Sequence, residues 1–194
     1  MNIRIKRLHP DAVIPKYAKP NDSGFDLVAT EDVIIQPGET ALVPTGLAFE
    51  IPTGYELQVR PRSGVSLKTK LRVANSPGTV DSSYRGEVKV IIDNIAMPSF
   101  YMNETYMTIG LEFGSRPKSL DGSRMLGVPS DEQSETYIIR KGDRIARGII
   151  APVVHANLIE TDEDLTETSR GSGGFGSSGV KAHEYIEMEI EEEE

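Results

Sequence analysis

The chain has 194 residues, of which 38% are hydrophobic, and a formal net charge of −9. That length suits one domain with an embellishment, and that apolar fraction excludes a wholly disordered chain. Cysteine is absent, which excludes disulfides and thiolate metal sites and points to a reducing compartment, the cytoplasm. The acidity is local: residues 184–194 (EYIEMEIEEEE) hold seven glutamates and no basic residue, so the remainder has 21 basic against 23 acidic residues, a charge of −2. A nearly neutral body is a poor generic nucleic-acid binder, and the acidic end reads as a solvated tail. The start, MNIRIKRLHP, lacks the apolar run of a signal peptide, and no stretch reaches the length of a membrane span.

In chain order, short β-like runs alternate with turn signals. Glu31–Ile35 precedes Pro37-Gly38, Gly46–Ile51 precedes Pro52-Thr53-Gly54, and Tyr55–Val59 precedes Pro61. Ser63–Lys70 is the one piece before residue 155 with some helical character. Val88–Ile92 is almost continuously apolar, as a buried strand is. Tyr137–Ile139 and Ile145–Val154 read as two further strands joined by a turn at Lys141-Gly142-Asp143. The expected fold is all-β, an antiparallel barrel or jelly roll.

Two regions differ from this body. Met97–Glu135 spans 39 residues and holds four of the twelve Phe and Tyr (Phe100, Tyr101, Tyr106, Phe113) and four of the six Met. Such side chains are scarce in flexible linkers. Lying between two core strands, the segment is expected to project as a surface excursion, with Tyr106–Phe113 forming a short strand or hairpin. An exposed aromatic and Met patch marks contact with a partner protein or a neighbouring subunit; the bland alternative is a loop packed on its own subunit. The second region, Thr161–Val180, is an acidic connector followed by SRGSGGFGSSG.

Four places carry candidate chemistry. Asp81 sits in PGTVDSSYRGEVKV, where turn signals on both sides suggest a hairpin whose tip amides and carbonyls read the edge of a base, while the carboxylate activates a water. Taken alone, an Asp in a turn is usually turn chemistry. Arg62-Ser63-Gly64-Val65-Ser66 offers amide groups to phosphate oxygens, though RSG taken alone is a weak signal and reads better as a plain turn. In Arg170–Val180 the glycines allow close wrapping, Arg170 can grip a terminal phosphate, and Phe175 can stack on a base for roughly 1–3 kcal/mol, against the alternative of a Gly/Ser linker. Asp26 is a third carboxylate able to approach a polyphosphate-bound metal. No protein-only metal motif is present, so Mg²⁺ carried in by substrate phosphates is the expected cofactor.

Together these segments resemble the trimeric dUTPase family in five ordered motifs: Ser23–Leu27, Pro61–Val65, Asn75–Glu87, Gly142–Ala146 and Arg170–Gly179. The resemblance implies a distorted jelly-roll barrel, a homotrimer with shared sites each closed by a neighbour's C-terminal arm, and hydrolysis of dUTP to dUMP and pyrophosphate with Mg²⁺. It implies that Asp81 deprotonates the attacking water. Backbone groups around Gly78 and Val80 read uracil, beside which Asn75 lies, and Tyr84 lies against the deoxyribose. Arg62, Ser63 and Gly64 hold phosphates, and Asp26 supports the water shell of the metal. Arg170, Gly176, Ser177 and Ser178 belong to the substrate-binding arm, gripping the γ-phosphate, while Phe175 caps the base.

The implied organisation is a barrel over residues 1–160 with an insert at about 97–135, a mobile arm over 161–180 and an acidic tail over 181–194. Arg147 departs from the glutamine usual after Arg144-Ile145-Ala146; it either supplies positive charge to the phosphates or points outward in a surface ion pair, and with Arg62 and Arg170 already supplying charge the second is the expectation. Extra segments at the position of the insert occur in some bacteriophage members, which suggests a host cytoplasm if the chain is phage-encoded. Competing readings are dCTP deaminase, a bifunctional deaminase–dUTPase, and a regulatory protein of this fold that binds a partner through residues 97–135.

Overall fold

Alternation of apolar and polar side chains decides which face of each strand turns inward. A computed structural model describes residues 1–97, 99–103, 108–112, 117–121 and 135–177. In chain order its elements are β1 (Arg4–Arg7), β2 (Phe25–Val28), β3 (Val33–Ile35), β4 (Thr40–Pro44), β5 (Leu47–Glu50), β6 (Tyr55–Pro61), α1 (Ser63–Lys68), β7 (Leu71–Val73), β8 (Gly78–Val80), β9 (Lys89–Asn94), β10 (Ser99–Asn103), β11 (Thr108–Glu112), β12 (Tyr137–Ile139) and β13 (Arg144–Pro152). The expected all-β, jelly-roll class holds, with α1 as the single short helix among the described residues. None of the described helices is long and apolar enough to cross a membrane.

A four-stranded antiparallel sheet runs in the order β2-β13-β6-β8, and a three-stranded one runs β4-β9-β7. The pairs β1-β5 and β3-β12 complete the body. Leu27, Ile35, Val43, Leu57, Val90 and Ile139 are each fully buried in one shared core. On β6, Leu57 and Val59 point inward while Glu56, Gln58 and Arg60 do not, which is the period of two expected of a sheet with one buried face. Although β12 and β13 follow one another through the turn at Lys141–Asp143, they enter different sheets.

The hairpin expected around Asp81 is corrected. β8 pairs with β6, from Leu57↔Val80 to Val59↔Gly78, whereas the strand that follows, β9, pairs with β4 and β7. The reason is burial: β9 turns Val90, Ile92 and Asn94 into the core and gains a ladder on each side. Residues 81–87 therefore cross from one sheet to the other.

The inserted segment leaves the body as an excursion. β10 and β11 pair with each other from Ser99↔Glu112 to Asn103↔Thr108 and form a sheet of their own. Thus Thr108–Glu112, within the expected strand region, is one arm of a hairpin; Tyr106 and Phe113 lie outside the described residues. The two ends of the excursion leave side by side. Asn94 Nδ2 donates to Glu135 O at 2.7 Å and to Ile35 O at 3.1 Å. Lys118 Nζ meets Glu135 Oε1 at 2.6 Å, and the Tyr137 hydroxyl donates to Glu135 Oε2 at 2.9 Å. Burial acts to raise the Glu135 carboxyl, but hydrogen bonds from Lys118 and Tyr137 outweigh it and hold the group below its ordinary range. Burial pushes the Tyr137 phenol up.

Met1–His155 forms one unit and Ala156–Glu194 a second. The described part of the second, through Ser177, has turns and no strand or helix.

One close approach fixes β2 against β13. A Cβ on Gly148 would collide with the Phe25 ring and lie 3.0 Å from Leu57 Cδ1. Phe25 in turn stacks on Phe49 at a centroid distance of 6.2 Å and meets the Tyr17 ring edge-on at 5.7 Å. The ring has no free space to retreat into, so overpacking is expected to strain the sheet. Gly148→Ala should lower the unfolding free energy by about 1–3 kcal/mol, read as a shift in the denaturant midpoint.

Candidate active site

β13 carries an irregularity that assembles a charged cluster. Its register with β2 shifts between Arg144 and Ala146, giving Arg144↔Val28, Ala146↔Leu27 and Arg147↔Asp26. Ile145 and Ala146 are consecutive and both buried, as a bulge requires. A bulge reverses the alternation of faces, so Arg144 and Arg147, three positions apart, both come to the face that carries Asp26. The Asp26 carboxylate is then shared: Arg62 Nε donates to Oδ1 at 3.0 Å and Arg144 Nη1 lies 3.3 Å from Oδ2. Arg62 Nη1 also donates to Arg144 O at 3.0 Å.

Asp26, Arg62, Ser63, Gly64 and Arg147 line a cavity of about 210 Å³. Gly64 faces open space, with nothing within 4 Å of where its Cβ would be. Three guanidiniums against one carboxylate make this corner suited to an anion. The expected outward ion pair of Arg147 is overturned. Its side chain turns into the cavity, Nη2 donates to Gly24 O at 3.0 Å, and its buried Nε has no hydrogen-bond partner. The carboxylate opposite it in the sheet is already held by Arg62 and Arg144, so Arg147 is left without an ionic partner among the described residues.

A second cavity, of about 570 Å³, is lined by Leu42, Thr79, Val80, Asp81, Tyr84, Glu87, Val88, Lys89 and Ile91. It shares no lining residue with the first. The Asp81 side chain is exposed and makes no hydrogen bond or ion pair among the described residues. The loop that presents it is held from within: Tyr84 N donates to Asp81 O at 3.1 Å, the Tyr84 hydroxyl donates to Glu87 O at 3.0 Å, and Arg85 Nη1 donates to Ser82 O and Tyr84 O, each at 2.7 Å. Asn75 packs against Gly78, where a Cβ would lie 3.1 Å from Asn75 Nδ2. Apolar walls from Leu42, Val80 and Ile91 beside one free carboxylate suit a flat, partly apolar ligand next to a hydrolysable bond.

In the second unit, Arg170 Nε donates to Gly173 O at 2.9 Å, and Gly173 N donates to Arg170 O at 3.0 Å. Phe175 is fully exposed and sits at φ +47°, a region that non-glycine residues seldom occupy; Gly176 follows at φ +101°. Such a conformation at an exposed aromatic holds strain that packing does not explain. Gly176 and Ser177 are exposed, and Ser178 lies outside the described residues.

The expected residues therefore fall into three groups. Asp26, Arg62, Ser63 and Gly64 meet in the cationic cavity. Val80, Asp81 and Tyr84 meet in the larger one, whereas Gly78 and Asn75 pack on one another and line neither cavity. Arg170, Phe175, Gly176 and Ser177 belong to the second unit. Arg144 and the apolar wall of Leu42 and Ile91 escaped the reading of the sequence; a period-two pattern puts Arg144 and Arg147 on opposite faces, and Leu42 lies in no motif.

Among the described residues no group of three or more His, Cys, Asp or Glu is arranged to hold a metal ion. The donor set of the cationic cavity is one carboxylate already engaged by two guanidiniums, which does not make a cage for a bare divalent ion. It does fit a hydrated ion already neutralised by phosphate oxygens, since Mg²⁺ gives up its waters reluctantly.

The dUTPase family model matches residues 11–106 and 130–179. The chain belongs to the dUTPase family. The dUTPase of Nautilia profundicola is 43% identical over 92% of this chain and 99% of its own length, and that of Helicobacter pylori strain J99 is 42% identical over 93% and 98%. The solved Staphylococcus bacteriophage 80alpha dUTPase with dUPNHPP superposes with a TM-score of 0.76 at 29% identity, over 92% of this chain and 99% of that one. The dUTPase of phage phi11, whose structure visualises a species-specific insert, superposes with a TM-score of 0.68 at 26% identity, over 84% of this chain and 98% of that one. This dUTPase accordingly hydrolyses dUTP. The unmatched residues 107–129 fall within the excursion between β9 and β12.

Proposed function

We propose that this dUTPase cleaves dUTP between the α- and β-phosphates, with Asp81 as general base, at sites shared among the subunits of a homotrimer. The observation that carries the reading is the Asp81 carboxylate, unpartnered among the described residues, at the wall of a cavity of about 570 Å³ that is separate from a cationic cavity on the same chain. Each chain thus offers two complementary halves with no lining residue in common, as expected when a site is completed by a neighbouring copy.

In this scheme uracil lies against the backbone of Gly78 and Val80 beside Asn75, and Tyr84 lies against the sugar. Asp81 takes a proton from water as the water oxygen bonds to the α-phosphorus; the bond from that phosphorus to the bridging oxygen breaks, and pyrophosphate leaves with the electron pair. Arg62, Ser63 and Gly64 hold phosphate oxygens. Mg²⁺, bound with the triphosphate, supplies charge neutralisation, and Asp26 orients its water shell. Arg170, Gly176, Ser177 and Ser178 hold the far end of the triphosphate while Phe175 covers the base. The exposed ring of Phe175 and its φ of +47° support a residue poised for a surface outside its own unit.

Asp81→Asn should retain dUTP binding and oligomeric mass while turnover falls by about 10²–10⁴-fold; near-normal turnover removes the assignment. Ending the chain before Ser169 should leave a folded trimer that releases little pyrophosphate from dUTP, whereas full activity in that protein excludes the arm from the site.

A second reading adds a regulatory protein partner that binds the excursion. It is supported by a separate β10–β11 sheet in an excursion whose ends, at Asn94 and Glu135, meet side by side, and of which β11 lies in the stretch 107–129 that the family model leaves unmatched. Replacing residues 98–134 with a short turn should preserve dUTP hydrolysis and trimer mass. Lost activity in an intact trimer assigns the excursion to the active site instead.

A further inference from the structure

Among the described residues, Arg147 is the arginine of the cationic cavity that has no ionic partner. Arg62 spends Nε on Asp26 and Nη1 on the carbonyl of Arg144, and Arg144 is spent on the other oxygen of Asp26. The Arg147 guanidinium has five N–H donors, of which one bond is formed, from Nη2 to Gly24 O. Its Nε is buried and has no partner.

A buried donor without an acceptor costs free energy, and buried polar groups are almost always satisfied. Folding alone gives no return for this one: Asp26, directly across the ladder from Arg147, is turned to two other guanidiniums. The side chain lines the cavity with Arg62, Ser63 and Gly64, so a guanidinium with unused donors lies beside a space able to take an oxyanion, although Nε itself is closed off from solvent. The Gly24 carbonyl holds one end of the guanidinium through Nη2, and a planar fork is suited to meeting two oxygens at once.

We infer that Arg147 is a specificity-determining substrate ligand of this dUTPase, bonding directly to phosphate oxygens of the bound triphosphate and supplying the free positive charge that Arg62 cannot. The inference rests on the proposed assignment of this cavity as the phosphate-binding half of the site. It separates the two arginines by role: Arg62 holds Asp26 and the β2–β13 corner while contacting substrate with its remaining donors, and Arg147 contributes its charge undiluted.

The test measures dissociation constants for dUpNHpp and for deoxyuridine in wild type, Arg147→Gln, Arg147→Lys and Arg62→Gln, with Mg²⁺ present and at two salt concentrations. Glutamine can still reach the Gly24 carbonyl, and deoxyuridine binding reports whether the rest of the site is intact. The expected result is that Arg147→Gln weakens dUpNHpp by about 10–100-fold, the range for a charge-assisted hydrogen bond, and leaves deoxyuridine within about twofold. The salt dependence of dUpNHpp binding should be shallower in Arg147→Gln, and Arg147→Lys should recover part of the loss. If Arg62→Gln weakens dUpNHpp and Arg147→Gln does not, the role given to Arg147 is wrong while the cavity assignment stands. If neither variant weakens it, the cavity assignment itself fails and takes the inference with it. Equal weakening of dUpNHpp and deoxyuridine makes Arg147 a structural residue, which also overturns the proposal.

Discussion

The bulge in β13 between Arg144 and Ala146 is the constraint on which the charged half of the site depends. A regular strand would send Arg144 and Arg147 to opposite faces, burying one cation in a core of Leu27, Leu57 and Ile139. Burying an unpaired cation is prohibitive, so the extra residue lets the chain keep both arginines off the core face, on the side of Asp26, and still turn Ile145 and Ala146 into the core. Asp26 across the ladder then meets two guanidiniums at once. The packing of Phe25 over Gly148 one step further holds the two strands in that register.

The same sheet links this corner to the cavity beside Asp81. β6 lies between β13 and β8, so its end at Pro61 delivers Arg62 to the cationic cavity while its middle, through Leu57↔Val80, supports the strand leading to Asp81. The carboxylate of Asp26 is engaged on both oxygens, whereas that of Asp81 is unengaged among the described residues. That contrast separates a residue that organises positive charge from one available to accept a proton, and it underlies the roles proposed for each.

The excursion between β9 and β12 shows how a long insertion coexists with a continuous core. Asn94 is buried and bonds through one amide to Ile35 O and Glu135 O, joining β3, β9 and the return of the chain at a single point. The ends are thus pinned together, and among the described residues between them β10 and β11 form a sheet apart from β9, which keeps continuous ladders with β4 and β7.

The amino-acid sequence by itself determined the all-β class, the limits of β3, β5, β6, β9, β12 and β13 to within a few residues, and the family, because turn residues, alternation and ordered motifs are local properties of the chain. It placed Asp26, Arg62, Ser63 and Gly64 in one set, and Asp81 and Tyr84 in another, through their motifs. Only the tertiary structure decided that β8 pairs back onto β6, that Leu42 and Ile91 wall the cavity beside Asp81, and that Arg147 turns inward. The first depends on which strand gains most from the core, the second on residues distant in sequence, and the third on a one-residue shift of register that no period of two can reveal.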